Sequence, residues 1–277
     1  MFENQFRKFP NFRGKRRLFR LLYKSQLETA REINIKTKNG YKFLLPNLHE
    51  NIGQDLFING EYEPEIVRFI AQKLPENGKL LDLGANIGSI LIPVLKQRPD
   101  VRAIAVEASP RVYSYLEKNV VLNELHGVDL VNNALFHADD LELDFFSPDD
   151  KYGKGSLSSV FTSQAVKVKT ITIDSLLKKL QFLEVDFIKI DVEGYEYNVF
   201  KGGEKLLSAE NAPDIIFEFV DWAEERSMNG KVGEAQRLLK EFGYQLYEIT
   251  DDQLKPSPEI ITKGAVNLFA TKQAVLK

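Results

Sequence analysis

The hydrophobic pattern of the chain breaks most sharply between Lys79 and Leu95, KLLDLGANIGSILIPVL. The apolar run Leu80 to Leu83 is cut by one carboxylate, Asp82, and stopped by Gly84. Gly88 follows, and Ser89-Ile90-Leu91-Ile92 opens the next, mostly apolar stretch. This order predicts a buried strand, a tight glycine turn and a helix packed back on the sheet. Val101 to Val106 reads as a second strand ending in Glu107, Ser109-Pro110 opens a helix to about Asn123, and Val128 to Asn132 is a third strand. Val185 to Ile190 is almost continuously apolar, as a central strand of a parallel sheet requires, and Asp214 to Phe219 is the next strand. Gly233 to Phe242 reads as an amphipathic helix. Gly243 to Ile249 and Ala265 to Ala270 are two last strands joined by a polar, proline-containing loop, Asp251 to Glu259. A connection without a helix implies an antiparallel edge.

Two stretches depart from this rhythm. Between Leu141 and Thr172, LELDFF and VKVKTITI read as strands around the loop SPDDKYGKGSLSS, an extra hairpin expected on the ligand side. Asp174 is placed to cap the short helix Ser175 to Leu180. Upstream, Thr29 to Pro46 alternates around Asn39-Gly40, a hairpin signal for a small lid or edge element. Pro64 begins a helix through about Lys73. Residues 1–54 are therefore expected to form an appendage, a basic helix and a hairpin, and residues 55–277 the main domain.

Composition alters this picture at one place. The chain of 277 residues carries a net charge of -3, but Arg7, Lys8, Arg13, Lys15, Arg16, Arg17, Arg20 and Lys24 crowd its start against Glu3 alone. Arg16 to Leu27 can form a helix with Phe19, Leu22, Tyr23 and Gln26 along one side. Such a segment can lie on an anionic membrane or bind nucleic acid. Docking of its apolar side on the domain is the favoured reading, with no nucleic-acid partner expected. No cysteine is present, which removes disulfides and thiolate chemistry. No apolar run approaches a membrane span and no secretory signal stands at the N-terminus, so a cytoplasmic location is expected.

The candidate chemistry lies in the turns. In Gly84-Ala85-Asn86-Ile87-Gly88, Asn86 stands where the dinucleotide fingerprint has a middle glycine that makes room for a pyrophosphate. With Asp82 at its entry, the turn suits a ligand with a cationic or zwitterionic end better than a diphosphate. Glu107, about 20 residues on, is placed to accept from both hydroxyls of a ribose. Asp191 and Glu193 end the strand Val185 to Ile190, and Glu218 lies toward the end of the next. All three gather on the edge that carries Gly84 and Glu107, because ligands bind outside the carboxyl ends of strands in open α/β sheets. Asp-x-Glu can bind a hard cation, serve as a base or cap the helix beginning near Tyr195. Lys189 interrupts its strand and needs a carboxylate partner. His126 and His137 sit in surface-turn contexts, and His49 lies near the expected lid. The carboxylates are the stronger candidates for a base.

These motifs carry a family resemblance. DLGANIG followed by AVEASP resembles the first motif and the acidic second-strand end of class I S-adenosylmethionine-dependent methyltransferases. Gly60-Glu61-Tyr62-Glu63-Pro64, FIKIDVEG and Val199-Phe200-Lys201-Gly202-Gly203 narrow it to the FkbM family, from about Asp55 to Ala270. The fold then expected is α/β, a doubly wound seven-stranded methyltransferase (Rossmann-like) sheet with an antiparallel last strand. The resemblance implies S-adenosyl-L-methionine as cofactor and methylation of a hydroxyl on a sugar, glycan or other small-molecule acceptor. It places Phe57 to Glu63, with Glu61 and Tyr62, over the methionine end of the cofactor, and Asn133 and Ala134 beside the adenine. The expected cofactor-binding set is Glu61, Tyr62, Asp82, Gly84, Asn86, Gly88, Ser89, Glu107, Asn133, Ala134 and Asp191. The expected catalytic set is Asp191, Glu193 and Glu218, with no metal site. A nicotinamide oxidoreductase and a non-catalytic nucleoside-binding module are the alternatives.

Overall fold

The computed structural model describes residues 14–22, 24, 27, 31–228, 231–250 and 253–274. The first two strands form an antiparallel hairpin, β1 (Arg31–Lys36) and β2 (Lys42–Asn47). Its turn is longer than a two-residue connection: Thr37 N donates to Tyr41 O at 2.8 Å around Gly40, whose φ is 85°. The hairpin is not a free lid. Buried Asn119, on the helix Pro110–Leu122, and buried Asn123, at its C-cap, bond the backbone of Leu44 and Lys42. Phe43 and Leu45 share a core with Ile87, Ile92 and Val112. A helix, Asn51–Asn59, runs through the expected boundary between residues 54 and 55.

The main sheet has eight strands. Its parallel part contains β3 (Lys79–Leu83), β4 (Arg102–Val106), the edge strand β5 (Val128–Val131) and, after a small second sheet, β9 (Phe187–Ile190). That second sheet is built from β6 (Ala134–Leu135), β7 (Glu142–Phe146) and β8 (Ala165–Ile171). It contains the expected extra hairpin, β7 paired with β8. On the far side of β9 lies β10 (Asp214–Val220), the fifth parallel strand. The remaining strands are β11 (Gln245–Thr250), β12 (Gln253–Pro256) and β13 (Ala265–Thr271). The order is β12-β11-β13-β10-β9-β3-β4-β5, and β13 runs antiparallel between β10 and β11. The expected doubly wound, mostly parallel sheet with an antiparallel last strand is therefore present, with β12 added at its edge. β12 falls in the stretch expected to be an irregular loop. Pro256 is tolerated there because β12 is the outermost strand and needs no donor on its free side.

Helices cover both faces. The core on one face joins Leu83, Ile104 and Ile190 to Val199, Phe200 and Leu239; the other joins Leu80, Ala103 and Phe187 to Ile70, Leu91 and Leu116. Two local expectations change. The helix begins at Ile173 and is capped by Thr172, whose hydroxyl accepts from Ser175 N at 3.1 Å. Asp174 instead accepts from Lys205 N and Leu206 N, at the start of the helix Glu204–Ser208. The basic N-terminal helix is Lys15–Leu22. It docks through Phe19, with Arg16 paired to Asp55 and Arg20 bonded to Gln54 and Asn51. Leu22, expected on the docked side, is 57% exposed. Tyr23 and Gln26 lie outside the described residues. Among those described, no helix is long and apolar enough to cross a membrane.

Candidate active site

The carboxyl ends of β3, β4 and β9 meet under one cavity. Gly84 turns the chain out of β3 at φ 81°; a Cβ there would meet Asp191 O at 1.9 Å, so only glycine lets the two strand ends approach. Gly84 N and Ala85 N both donate to Val106 O at 2.9 Å, which fixes the turn against β4. Asn86 follows at φ 52°. Its amide donates to Glu107 Oε2 at 3.0 Å, and Ser109 N donates to Glu107 Oε1 at 2.8 Å. Each oxygen of Glu107 keeps a lone pair for the cavity, the pair of acceptors that the two hydroxyls of a vicinal diol need. Burial raises the Glu107 pKa to about 7. Asn132, not foreseen from the sequence, donates to Glu107 O at 2.7 Å.

Ser89, Asn133 and Ala134 line the same cavity, as do Tyr62, Asp191, Glu193 and Glu218. Three expected cofactor contacts do not. Gly88 packs on Ile92 and Leu116, so its missing side chain serves the helix and not a ligand. Asp82 is buried behind the wall, 3.5 Å from Lys189 Nζ. Glu61 turns away to Asn39 and Lys38 beside a separate shallow pocket. His126 and His137 are exposed, and His49 is outside the cavity wall.

The acidic end of the cavity is built by one turn. Glu193 sits at φ 52° and Gly194 at φ 95°, where a Cβ would be 2.4 Å from Ala223 O. The buried Glu196 carboxylate accepts from Val192 N at 3.1 Å and holds this turn. Glu196 has its pKa raised by burial to about 8. Asp191, its side chain 40% exposed, stands 3.9 Å from Lys189 Nζ. Lys189 thus has the carboxylates that its buried position requires, and it also donates to Gly84 O at 3.0 Å. Burial, followed by the charge of Asp191, raises Glu193 to about 7, and the same two causes raise Glu63 to about 7. They also raise Glu218. Burial drives up Tyr62, beside Glu63.

The long loop after β7 crosses over the cavity. Asn47 Nδ2 donates to Asp149 O, and Asn86 Nδ2 donates to Tyr152 O at 3.1 Å. Lys154 Nζ bonds Glu193 Oε1 at 2.9 Å. Burial opposes the Lys154 charge, but Glu193 outweighs it and raises the Lys154 pKa. Lys154 and Tyr152 were not singled out from the sequence, and Glu63 entered only within the Gly60 to Pro64 motif and as the last residue of the Phe57 to Glu63 segment. The only signals there were the length of the loop and the position of Glu63 before Pro64.

Residues 82–246 match the family described as the Methyltransferase FkbM domain. The chain belongs to this family. Its methyl donor is S-adenosyl-L-methionine, and the nicotinamide reading is set aside. The chain resembles the Methyltransferase sdnD of Sordaria araneosa, 30% identical over 159 residues, covering 47% of this chain and 61% of that protein. It also resembles the Hexuronic acid methyltransferase AglP of Haloferax volcanii, 26% identical over 149 residues, covering 54% of this chain and 59% of that protein. The match thus spans less than two thirds of either relative. Among solved structures, TYW2 of M. jannaschii in complex with AdoMet is 18% identical, covering 87% of this chain and 85% of that one, with a TM-score of 0.43. The residues present fit such a donor. Glu107 offers free lone pairs to a ribose, and the cavity wall presents more carboxylates than cations to a sulfonium and an ammonium.

Proposed function

We propose that the protein transfers a methyl group to a hydroxyl oxygen of a sugar, glycan or other small-molecule acceptor. The observation that carries this reading is the position of Asp191. It ends β9 beside the glycine turn, reaches the cavity, and has Glu193 and Glu218 around it. S-adenosyl-L-methionine supplies an activated methyl group. The chain's part is to hold the acceptor oxygen in line with it, an alignment worth about 7 to 11 kcal/mol in oriented systems. Asp191 orients the hydroxyl and takes its proton, a role worth about 10² to 10⁴ in rate. Glu193, tied to Lys154, and Glu218 support it. The loop over the cavity excludes water and forms the acceptor side. A hexuronic acid substrate in the name of one relative supports a sugar acceptor for this chain. The purified protein, labelled S-adenosylmethionine and a panel of monosaccharides, uronic acids and glycans test the reading. Label transferred to a hydroxyl of one of them is the expected result. Transfer to carbon or nitrogen alone would overturn it.

A further inference from the structure

We propose that Glu50 receives the ammonium group at the amino-acid end of the methyl donor, which gives the cavity a cofactor contact outside the family-matched residues. The inference rests on the methyltransferase reading. Glu50 precedes the helix Asn51–Asn59, and its Oε1 accepts from Asn51 N at 2.6 Å. Its Oε2 is buried without a hydrogen-bond partner, in a residue only 5% exposed. Among the described residues no lysine or arginine forms an ion pair with it. Yet Glu50 lines the same cavity as Asn86, Ser89 and Glu107. The roof loop packs against it: a Cβ at Gly153 would lie 3.1 Å from Glu50 Cδ. The neighbouring Tyr152 carbonyl is held by Asn86 of the glycine turn. Glu50 therefore belongs to the roof above the turn.

Three other carboxylates on the cavity wall, all but the half-buried Glu218, have partners in the protein. Glu107 has two amides, Glu193 has Lys154, and Asp191 has Lys189. Burying a carboxylate without a counter-charge is costly, and the compensation has to come from the ligand. A ribose hydroxyl would leave the charge uncancelled, and the ribose already has Glu107. An ammonium brings both a donor and the opposite charge.

Calorimetric titration with two probes tests this. S-adenosylmethionine carries the ammonium; 5′-methylthioadenosine keeps the nucleoside and lacks the amino-acid end. Glu50→Gln preserves the cap oxygen and is expected to weaken S-adenosylmethionine at least tenfold while 5′-methylthioadenosine changes less than twofold. Equal loss for both probes, or loss for neither, overturns the proposal and leaves the methyltransferase reading standing. If the wild-type protein binds neither probe, both readings fall. Far-UV dichroism checks the fold. If Glu50→Gln unfolds, Glu50→Asp replaces it, with the same selective loss expected.

Discussion

Asp82 and Lys189 face each other across neighbouring strands, paired in register between β3 and β9, with the ammonium 3.5 Å from the carboxylate beneath the glycine turn. Both are buried. The pair ties the two strand ends that carry Gly84 and Asp191.

Breaking that pair from one side leaves a buried charge. Lys189→Met is expected to destabilise the protein by about 3 to 5 kcal/mol, because Asp82 then has no counter-ion. Asp82→Asn combined with Lys189→Met should recover a large part of the loss. Urea unfolding of the two variants measures this. A single variant as stable as the wild type would remove the pair from the account of the fold.

Glu107 should carry ribose affinity. Glu107→Gln keeps the shape and one acceptor oxygen. It should weaken S-adenosylmethionine by roughly 1.5 to 3 kcal/mol, the worth of hydrogen bonds to a charged group. Calorimetry reads the change. Unchanged affinity would place the ribose elsewhere.

How much of this was legible in the sequence follows from what each residue answers to. Gly84, Glu107 and Asp191 are fixed by local chain geometry: a turn that admits only glycine, and the last positions of buried strands. Those signals are short-range and the structure keeps them. Asp82 and Gly88 belong to the same motif, yet their roles are internal, an ion pair and helix packing, and spacing alone cannot separate the two uses. Thr172 and Asp174 are both competent caps. The choice between them depended on Lys205 and Leu206, which come close only in the fold. Glu50, Tyr152 and Lys154 meet the site through long-range contacts of a roof loop, so no local pattern announces them.

The buried carboxylates in and beside the cavity predict a pH response. Glu63, Glu107 and Glu193 are raised to about 7, chiefly by burial, from an ordinary value of 4.5. Between those values the folded form binds more protons than the unfolded one. The stability contributed by these groups is therefore present at about pH 4.5 and is lost as pH rises through about 7. The melting temperature of the ligand-free protein should rise as pH is lowered from about 8 to about 5.5. Affinity for the cationic donor should fall over the same interval, since protonation removes the charges it meets. Scanning fluorimetry with and without S-adenosylmethionine would show both trends. A ligand-free melting curve that moves the other way would contradict the burial argument.

Asp191→Asn tests the chemistry. It keeps the shape and removes the basic oxygen. Single-turnover methyl transfer should slow by about 10² or more, with cofactor affinity changed little. Loss of affinity in parallel with rate would make Asp191 a holder of the donor instead of a base. Full activity would move the role to Glu63 or Glu218.

The insertion of β13 between β10 and β11 has a consequence for how the chain is made. Ile215 pairs with Ala270 and Tyr247 with Phe269, so the third strand of this set supplies the middle rung between two made earlier. Until residues 265–271 emerge from the ribosome, β10 has an open edge and β11 has no neighbour in the main sheet except β12. Pairing of such long range is slow to form, and an open edge invites pairing with the wrong chain. The region is thus most exposed to misassembly, and most dependent on chaperone cover, during the interval in which β11 exists and β13 does not.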